Sequence, residues 1–201
     1  VDVISWLNPI PEIPDFGGNQ PDLNARGVLV NKISANAHIP IVYGTRRVGG
    51  NVVFAESSGT DNEFLYMAII LSEGEIDDIT NIFINDNQVT WSGDLADNTQ
   101  RTVASSDANY FKAPDDDSSA ESLITCEPHY GTDSQSASSL LSGLSSWTSN
   151  RRLRGLAYIA FKFKWNPDAF GSLPNITADV KGRKVYNPNL DSTVTGGSGS
   201  Y

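Results

Sequence analysis

The chain has 201 residues, 39% of them apolar and 19% charged, and carries a formal net charge of −10. That length suits one sizeable domain or two small ones with an ordinary core, because a chain of this size buries most of its surface on folding. The bulk negative charge repels nucleic-acid phosphate and argues against general nucleic-acid binding, and no run approaches the roughly 18 apolar residues of a membrane-spanning helix.

Residues 1–30 open with VDVISWLNPIPEIPDFGG, which lacks the basic region and long apolar core of a secretory signal. Pro9, Pro11, Pro14 and Pro21, with Gly17-Gly18, forbid a regular helix or a central strand. An extended, partly polyproline-like arm is expected. It carries Val3, Ile4, Trp6, Leu7, Ile10, Ile13 and Phe16, which a simple flexible tail would not. The arm is therefore expected to lie against a surface, its own domain's or a neighbour's, with Trp6 and Phe16 among the contacts.

Residues 39–43, IPIVY, read as a short edge strand, GTRRVGG as a turn, and 51–57, NVVFAES, as the second arm of a hairpin. Eight consecutive apolar residues, Phe64–Leu71, fit a strand covered on both faces. Glu73-Gly74-Glu75 ends it. In ITNIFINDNQVTW, residues 79–91, Asn85-Asp86-Asn87 tolerate left-handed turn geometry between two β-rich runs, a clear hairpin signal.

Residues 92–135 are rich in Ser, Asp, Thr and Asn and read as loops and short strands. Leu140, Leu141, Leu144 and Trp147 then fall at helical spacing with Asp133 or Ser134 as a cap, which predicts one short amphipathic helix that Gly143 weakens. Residues 151–165, RRLRGLAYIAFKFKW, read as a long strand, two-sided at first and then alternating, with Phe161, Phe163 and Trp165 inward and Lys162 and Lys164 outward. Ile176, Ala178 and Val180 alternate with Thr177, Asp179 and Lys181 in a half-buried strand. From Asn187 the chain reads as a polar linker toward a further part.

The single cysteine, Cys126, cannot form an intrachain disulfide, which fits folding in a reducing cytosol. Cys126 and His129 make a C-x-x-H with no second pair, so a buried cysteine beside a loop histidine accounts for them better than zinc. The run 115–117, DDD, lacks the spacing of a dedicated calcium loop, and GGSGS at 196–200 has no helix to complete a nucleophile elbow. No phosphate-binding glycine motif is present. No catalytic residue, metal or cofactor is expected.

The cations gather at strand borders: Arg46-Arg47, Arg151-Arg152-Arg154, Lys162, Lys164, and Lys181, Arg183 and Lys184 of KGRK. Such groups guard strand edges and pair with acidic protein faces. The acidic turn Glu73, Glu75, Asp77 and Asp78 is the candidate partner of KGRK across a subunit boundary.

Three stretches in order resemble the N-terminal part of the tailed-phage tip attachment protein J family, also called tail hub or central-fibre proteins, with gene-transfer-agent relatives. They are ISANAHIPIVYGTRRVGGNVVF (33–54), EFLYMAIILSEGEIDDITNIFINDNQV (63–89) and NRRLRGLAYIAFKFKWNPDAFGSLPNITADVKGRKVYNP (150–188). The resemblance implies a mainly β fold: a hub β-barrel or sandwich from 31–90 and 150–188, an inserted loop-rich α+β subdomain over 91–149, the Pro-rich arm over 1–30 and a linker over 189–201. It implies a virion protein made in the host cytoplasm, a homotrimer that joins the tail tube to a receptor-binding fibre. Implied partners are a distal tail protein, a tape-measure protein, other tail-tip proteins and, through a further C-terminal part, a host receptor. DNA would pass through without specific binding. Two alternatives remain: a carbohydrate- or receptor-binding module using exposed Trp91, Trp147, Tyr110 or Tyr130, and a cell-wall-degrading tail enzyme.

Overall fold

The computed structural model describes residues 31–33, 37–114 and 119–183; the expected arm (1–30, with Trp6 and Phe16), the acidic run at 115–117, Lys184 and the expected linker (189–201) lie outside them. The strands are β1 (Thr45–Gly49), β2 (Asn51–Ser58), β3 (Phe64–Glu73), β4 (Ile76–Ile84), β5 (Asn87–Gln88), β6 (Arg101–Thr102), β7 (Phe111–Lys112), β8 (Glu121–Ser122), β9 (Ile124–Tyr130), β10 (Leu156–Lys164) and β11 (Ile176–Arg183). One sheet has the order β1-β11-β4-β5, a second the order β2-β3-β10-β9-β6, and β7 pairs with β8. All these pairings are antiparallel.

The two larger sheets form a sandwich. Val48, Ile76, Ile79, Ile82, Ile84, Ile176, Ala178 and Val180 of the four-stranded sheet pack with Leu65, Met67, Ile69, Leu71, Ile124, Cys126, Ile159, Phe161 and Phe163 of the five-stranded one. The opposite face of the five-stranded sheet is apolar too: Phe54, Ala68, Ile70, Tyr158 and Ala160 form a second cluster with Leu141, Leu144 and Trp147. The eight-residue apolar run of β3 is thus the signature of a middle layer, as its composition predicts. The stretch expected as an inserted subdomain contributes β6 and β9 to the five-stranded sheet and Leu95, Val103 and Tyr110 to the shared core.

Two glycine corners pass the chain between sheets. Gly74, at φ 84°, turns β3 of one sheet into β4 of the other. Gly50 joins β1 to β2, and a Cβ there would lie 2.3 Å from Ile69 Cγ2 and 2.5 Å from the Ile70 carbonyl oxygen. This corner overturns the expected hairpin over 39–57. Residues 39–43 are not a strand, TRRVG is one, and β1 and β2 pair with β11 and β3 rather than with each other. The contacts of 40–44 are individual backbone bonds, Glu73 N to Pro40 O at 2.9 Å and Arg183 N to Val42 O at 2.7 Å. The other expected hairpin forms: Asn85 (φ 49°) and Asp86 (φ 64°) make the two-residue turn between β4 and β5, with both residues left-handed.

The expected helix does not form. Residues 139–147 are successive turns, with Leu144 N bonded to Leu141 O and Trp147 N to Leu144 O, yet the four expected apolar residues still pack on the sheet. A buried carboxylate holds the segment. Glu127, on β9 and 2% exposed, accepts bonds from Ser138 Oγ (2.7 Å), Leu140 N (2.7 Å), Ser139 Oγ (3.0 Å) and Ser139 N (3.1 Å). A carboxylate serving two adjacent backbone amides fixes an irregular turn as a helix cap would, without a helix behind it. Gln135, 1% exposed, ties the same segment: its amide donates to Arg152 O and Leu153 O at 2.9 Å, and its oxygen accepts from Gly131 N. Residues 151–155 are likewise not strand; Leu153 (φ 48°) and Gly155 (φ 75°) turn the chain into β10.

Gly50→Ala is expected to cost about 1–3 kcal/mol by forcing the corner open, whereas Gly143→Ala, with open space at its Cβ position, should be near neutral. Chemical denaturation of both variants checks this. Burial pushes the Glu127 pKa up, but the neighbouring His129 imidazole and the bonds from Ser138, Leu140 and Ser139 outweigh it and hold the carboxyl at about 2, below its ordinary 4.5. Its contribution is therefore present above about pH 4.5 and fades as pH falls through about 2. Glu127→Gln should lower stability by about 2–4 kcal/mol at neutral pH and by much less near pH 2, read as converging denaturation midpoints.

Candidate assembly surface

β1 and β2 are consecutive in the chain and each is the outer strand of its own sheet. Residues 45–58 therefore make one edge that crosses from sheet to sheet at Gly50. Among the described residues only Lys32 pairs with its outer side, through Lys32 N to Gly50 O (3.1 Å) and Val52 N to Lys32 O (2.9 Å). Asn31 pins this point to the start of β11. Its amide donates to Ile176 O (2.8 Å) and Gly50 O (3.3 Å), and its side-chain oxygen accepts from Ile176 N.

The large apolar side chains left exposed among the described residues lie on or beside this edge: Ile33 (57%), Ile41 (46%), Tyr43 (59%) and Val53 (47%). Val53 is the extra residue of the bulge between Val52 and Phe54. That bulge turns outward a side chain that alternation alone would not single out. Ile41 and Tyr43 flank Val42, whose N–H donates to Ser72 Oγ and whose carbonyl accepts from Arg183. None of the four was singled out by sequence: Ile41 and Tyr43 fall in IPIVY and Val53 in NVVFAES, both read as hairpin strands.

Arg47 does not hang free on the edge. Its guanidinium lies 3.4 Å from the Phe83 ring centroid and donates to Asp179 at 2.9 Å. Asn81 also donates to Asp179, and Gln88 to Asn81, in a polar chain across the outside of the four-stranded sheet. Burial raises the Asp179 pKa, but the bonds from Arg47 and Asn81 prevail and hold it below 3.8. Arg46 beside it is exposed.

Part of KGRK and part of the acidic turn, expected to meet across a subunit boundary, contact each other within this chain. The β11–β4 register sets Lys181 opposite Asp78 and Arg183 opposite Ile76. Lys181 Nζ lies 2.9 Å from Asp78 Oδ2, and Tyr130 OH donates to the other oxygen at 2.9 Å. Burial works against the Asp78 anion, yet these bonds hold its pKa below 3.8. Arg183 runs past Gly74 and lines a cavity of about 460 Å³ with Glu73, Glu75 and Asp133. Asp77 is exposed, and so are Arg151 and Arg152, in the turns before β10. The sequence separation of 103 residues between Lys181 and Asp78 hid this pairing.

Among the described residues no group of three metal-ligating side chains comes together. Cys126 and His129 are three apart on β9 and so face opposite sides: Cys126 enters the sandwich core, while His129 stacks on Tyr158 at 4.3 Å on the other face. Burial pushes the Cys126 thiol far up, which leaves it unreactive. His129 Nε2 stands 3.5 Å from Glu127, but Ser138 donates to that carboxylate and not to the imidazole, and all three are buried. Of the residues expected to stack on sugars, Tyr110 (2% exposed) and Trp147 (4%) are core. Tyr110 OH bonds Ile84 O and stacks on Phe170, and Trp147 packs edge-on against Phe54 at 5.1 Å. Trp91 and Tyr130 are half-buried.

No family model matches the chain. A curated relative, the baseplate hub protein pb3 of Escherichia phage T5, is 24% identical over 189 residues, covering 78% of this chain and 20% of the relative. The chain thus spans about a fifth of that protein's length. Among solved structures, a chain of the virion of a native gene transfer agent particle matches with a TM-score of 0.50 at 16% identity, over 78% of this chain and 29% of that one. The chain is similar to a phage baseplate hub protein, and its fold is shared with a chain of a gene transfer agent virion.

Arg47→Ala is expected to lower stability by about 1 kcal/mol at neutral pH, through loss of the ion pair and the ring contact. A depressed Asp179 stabilises the fold above its ordinary 3.8 and loses that contribution as pH falls. The gap between variant and parent should therefore narrow in acid, and carboxyl NMR titration should show Asp179 moving up toward its ordinary value.

Proposed function

We propose that this chain is a structural β-domain of a hub protein at the tail tip or baseplate of a phage-type particle, of the same kind as the tip attachment protein J and tail-hub group. The observation that carries the reading is the similarity to a baseplate hub protein over 78% of the chain. The surface supplies a physical reason for assembly: an edge spanning both sheets, with four exposed apolar side chains beside it and little in the described fold to cover them. Three copies would associate head to tail around an axis, each offering its β1–β2 edge to a neighbour. A distal tail protein and a tape-measure protein would meet this ring, and a receptor-binding part would lie beyond the present chain. A net charge of −10 suits a channel wall along which DNA slides without adhering. The work of such a domain is assembly, with no catalytic step and no cofactor.

Light scattering of the purified chain should give three times the chain mass of 21.7 kDa. Replacing Ile41 and Tyr43 together by Asp should return a single-chain mass without changing the circular dichroism, since both side chains are exposed. A parent chain that stays single at every concentration, and that retains no other tail-tip protein in pull-down, overturns the proposal.

A further inference from the structure

The segment over the outer face of the five-stranded sheet forms an open cavity of about 530 Å³, none of whose lining residues belongs to the β1–β2 edge. Its chemistry is unusual for this molecule. In a chain with 24 Asp and Glu against 14 Lys and Arg, its walls carry two arginines, Arg152 and Arg154, and no carboxylate side chain. Each guanidinium is anchored through Nε, Arg152 to Ser149 O at 3.1 Å and Arg154 to Gln135 O at 3.3 Å. Anchoring at Nε leaves the terminal N–H groups as oriented donors, the arrangement that binds planar or tetrahedral oxyanions.

Hydroxyls complete the wall. Those of Ser138 and Ser139 are spent on Glu127 beneath the cavity. Those of Ser134, Ser136, Thr148 and Ser149 line it and make no hydrogen bond within the described fold. The edge of Trp147 closes one side; its indole Nε1 is buried and has no partner. The cavity is larger than an inorganic anion needs and falls in the range of small-molecule sites. It offers many single hydrogen-bonding groups and no open aromatic face.

We propose that this cavity is a binding site for an anionic sugar, a monosaccharide unit bearing a carboxylate or phosphate. The acidic group sits on Arg152 and Arg154 and the ring hydroxyls meet the serine and threonine hydroxyls. Bacterial surface polymers present such units repeatedly, so a dissociation constant of about 1 mM per unit is enough for multivalent contact.

Two-dimensional nitrogen–proton NMR of the full chain tests it, with glucuronate and a hexose phosphate as probes and glucose and inorganic phosphate as comparators. Both probes are expected to shift the Trp147 indole signal and the amides of 134–154 saturably, and the stronger probe shows which acid the site takes. Arg152→Gln should weaken binding about tenfold or more while leaving the melting temperature unchanged, because Arg152 is exposed. Arg152→Lys should keep part of it. Absence of a saturable shift, equal binding of glucose, or inorganic phosphate matching the acidic sugars as an adventitious ion only, each overturns the proposal. None of these outcomes depends on the oligomeric state, so this test and the assembly test fail separately.

Discussion

The five-stranded sheet is apolar on both faces and must be covered twice. The four-stranded sheet covers one face through a conventional sandwich core. The other is closed by residues 136–155, which form neither helix nor strand. This second covering is the demanding one. An irregular segment laid on an apolar surface carries backbone groups that no ladder or helix satisfies, and unsatisfied buried groups cost about 1–3 kcal/mol each. The apolar faces of Leu141, Leu144 and Trp147 supply the attraction. What keeps the segment in one conformation is polar, and it comes from two side chains nearly sealed from water.

Those two divide the task by charge. Glu127 projects from β9 on the face that also carries His129, and receives the amides and hydroxyls of the turn that begins the covering segment. Gln135 closes the other end by donating to the carbonyls that precede β10. An anion serves where donors converge and a neutral amide where acceptors converge. The four bonds that Glu127 accepts come from Ser138, Ser139 and Leu140, and none comes from Arg152 or Arg154. The serine-rich composition of 134–149 follows from the same arrangement: small hydroxyl side chains reach both inward to the carboxylate and outward to the cavity.

Strand identity was legible wherever a single period held. Phe64–Leu71, the alternation at Phe161–Phe163 and the Asn85-Asp86 turn read correctly because their residues report on immediate surroundings. Partnership was not legible where the chain changes sheet. Nothing in VGGN distinguishes a hairpin turn from a corner; the difference lies in Ile69 and Ile70, which occupy the space where a Cβ at Gly50 would go. The helix expected at 140–147 failed for a related reason. Its apolar residues lie on one side, as read, but turns satisfy the same facing requirement once Glu127, twelve residues or more away, takes over the capping. The pairing of Lys181 with Asp78 inside the chain was not legible, since antiparallel register over 103 residues is not encoded locally.

That intrachain pairing bears on how such a domain would assemble. Lys181 with Asp78 and Arg47 with Asp179 are already paired, so drawing them into a subunit contact would gain little and would remove solvated ion pairs from water. The charged face is therefore a poor source of affinity, though its pattern can still set orientation. The apolar residues at the β1–β2 edge have no such competition. Ile41 and Tyr43 are held outward because Val42 between them is buried and bonded on both sides, and Val53 is held outward by a bulge. Both features spend backbone regularity to present hydrophobic surface. In the proposed assembly through this edge, burial of that surface would supply affinity and the charges would set register.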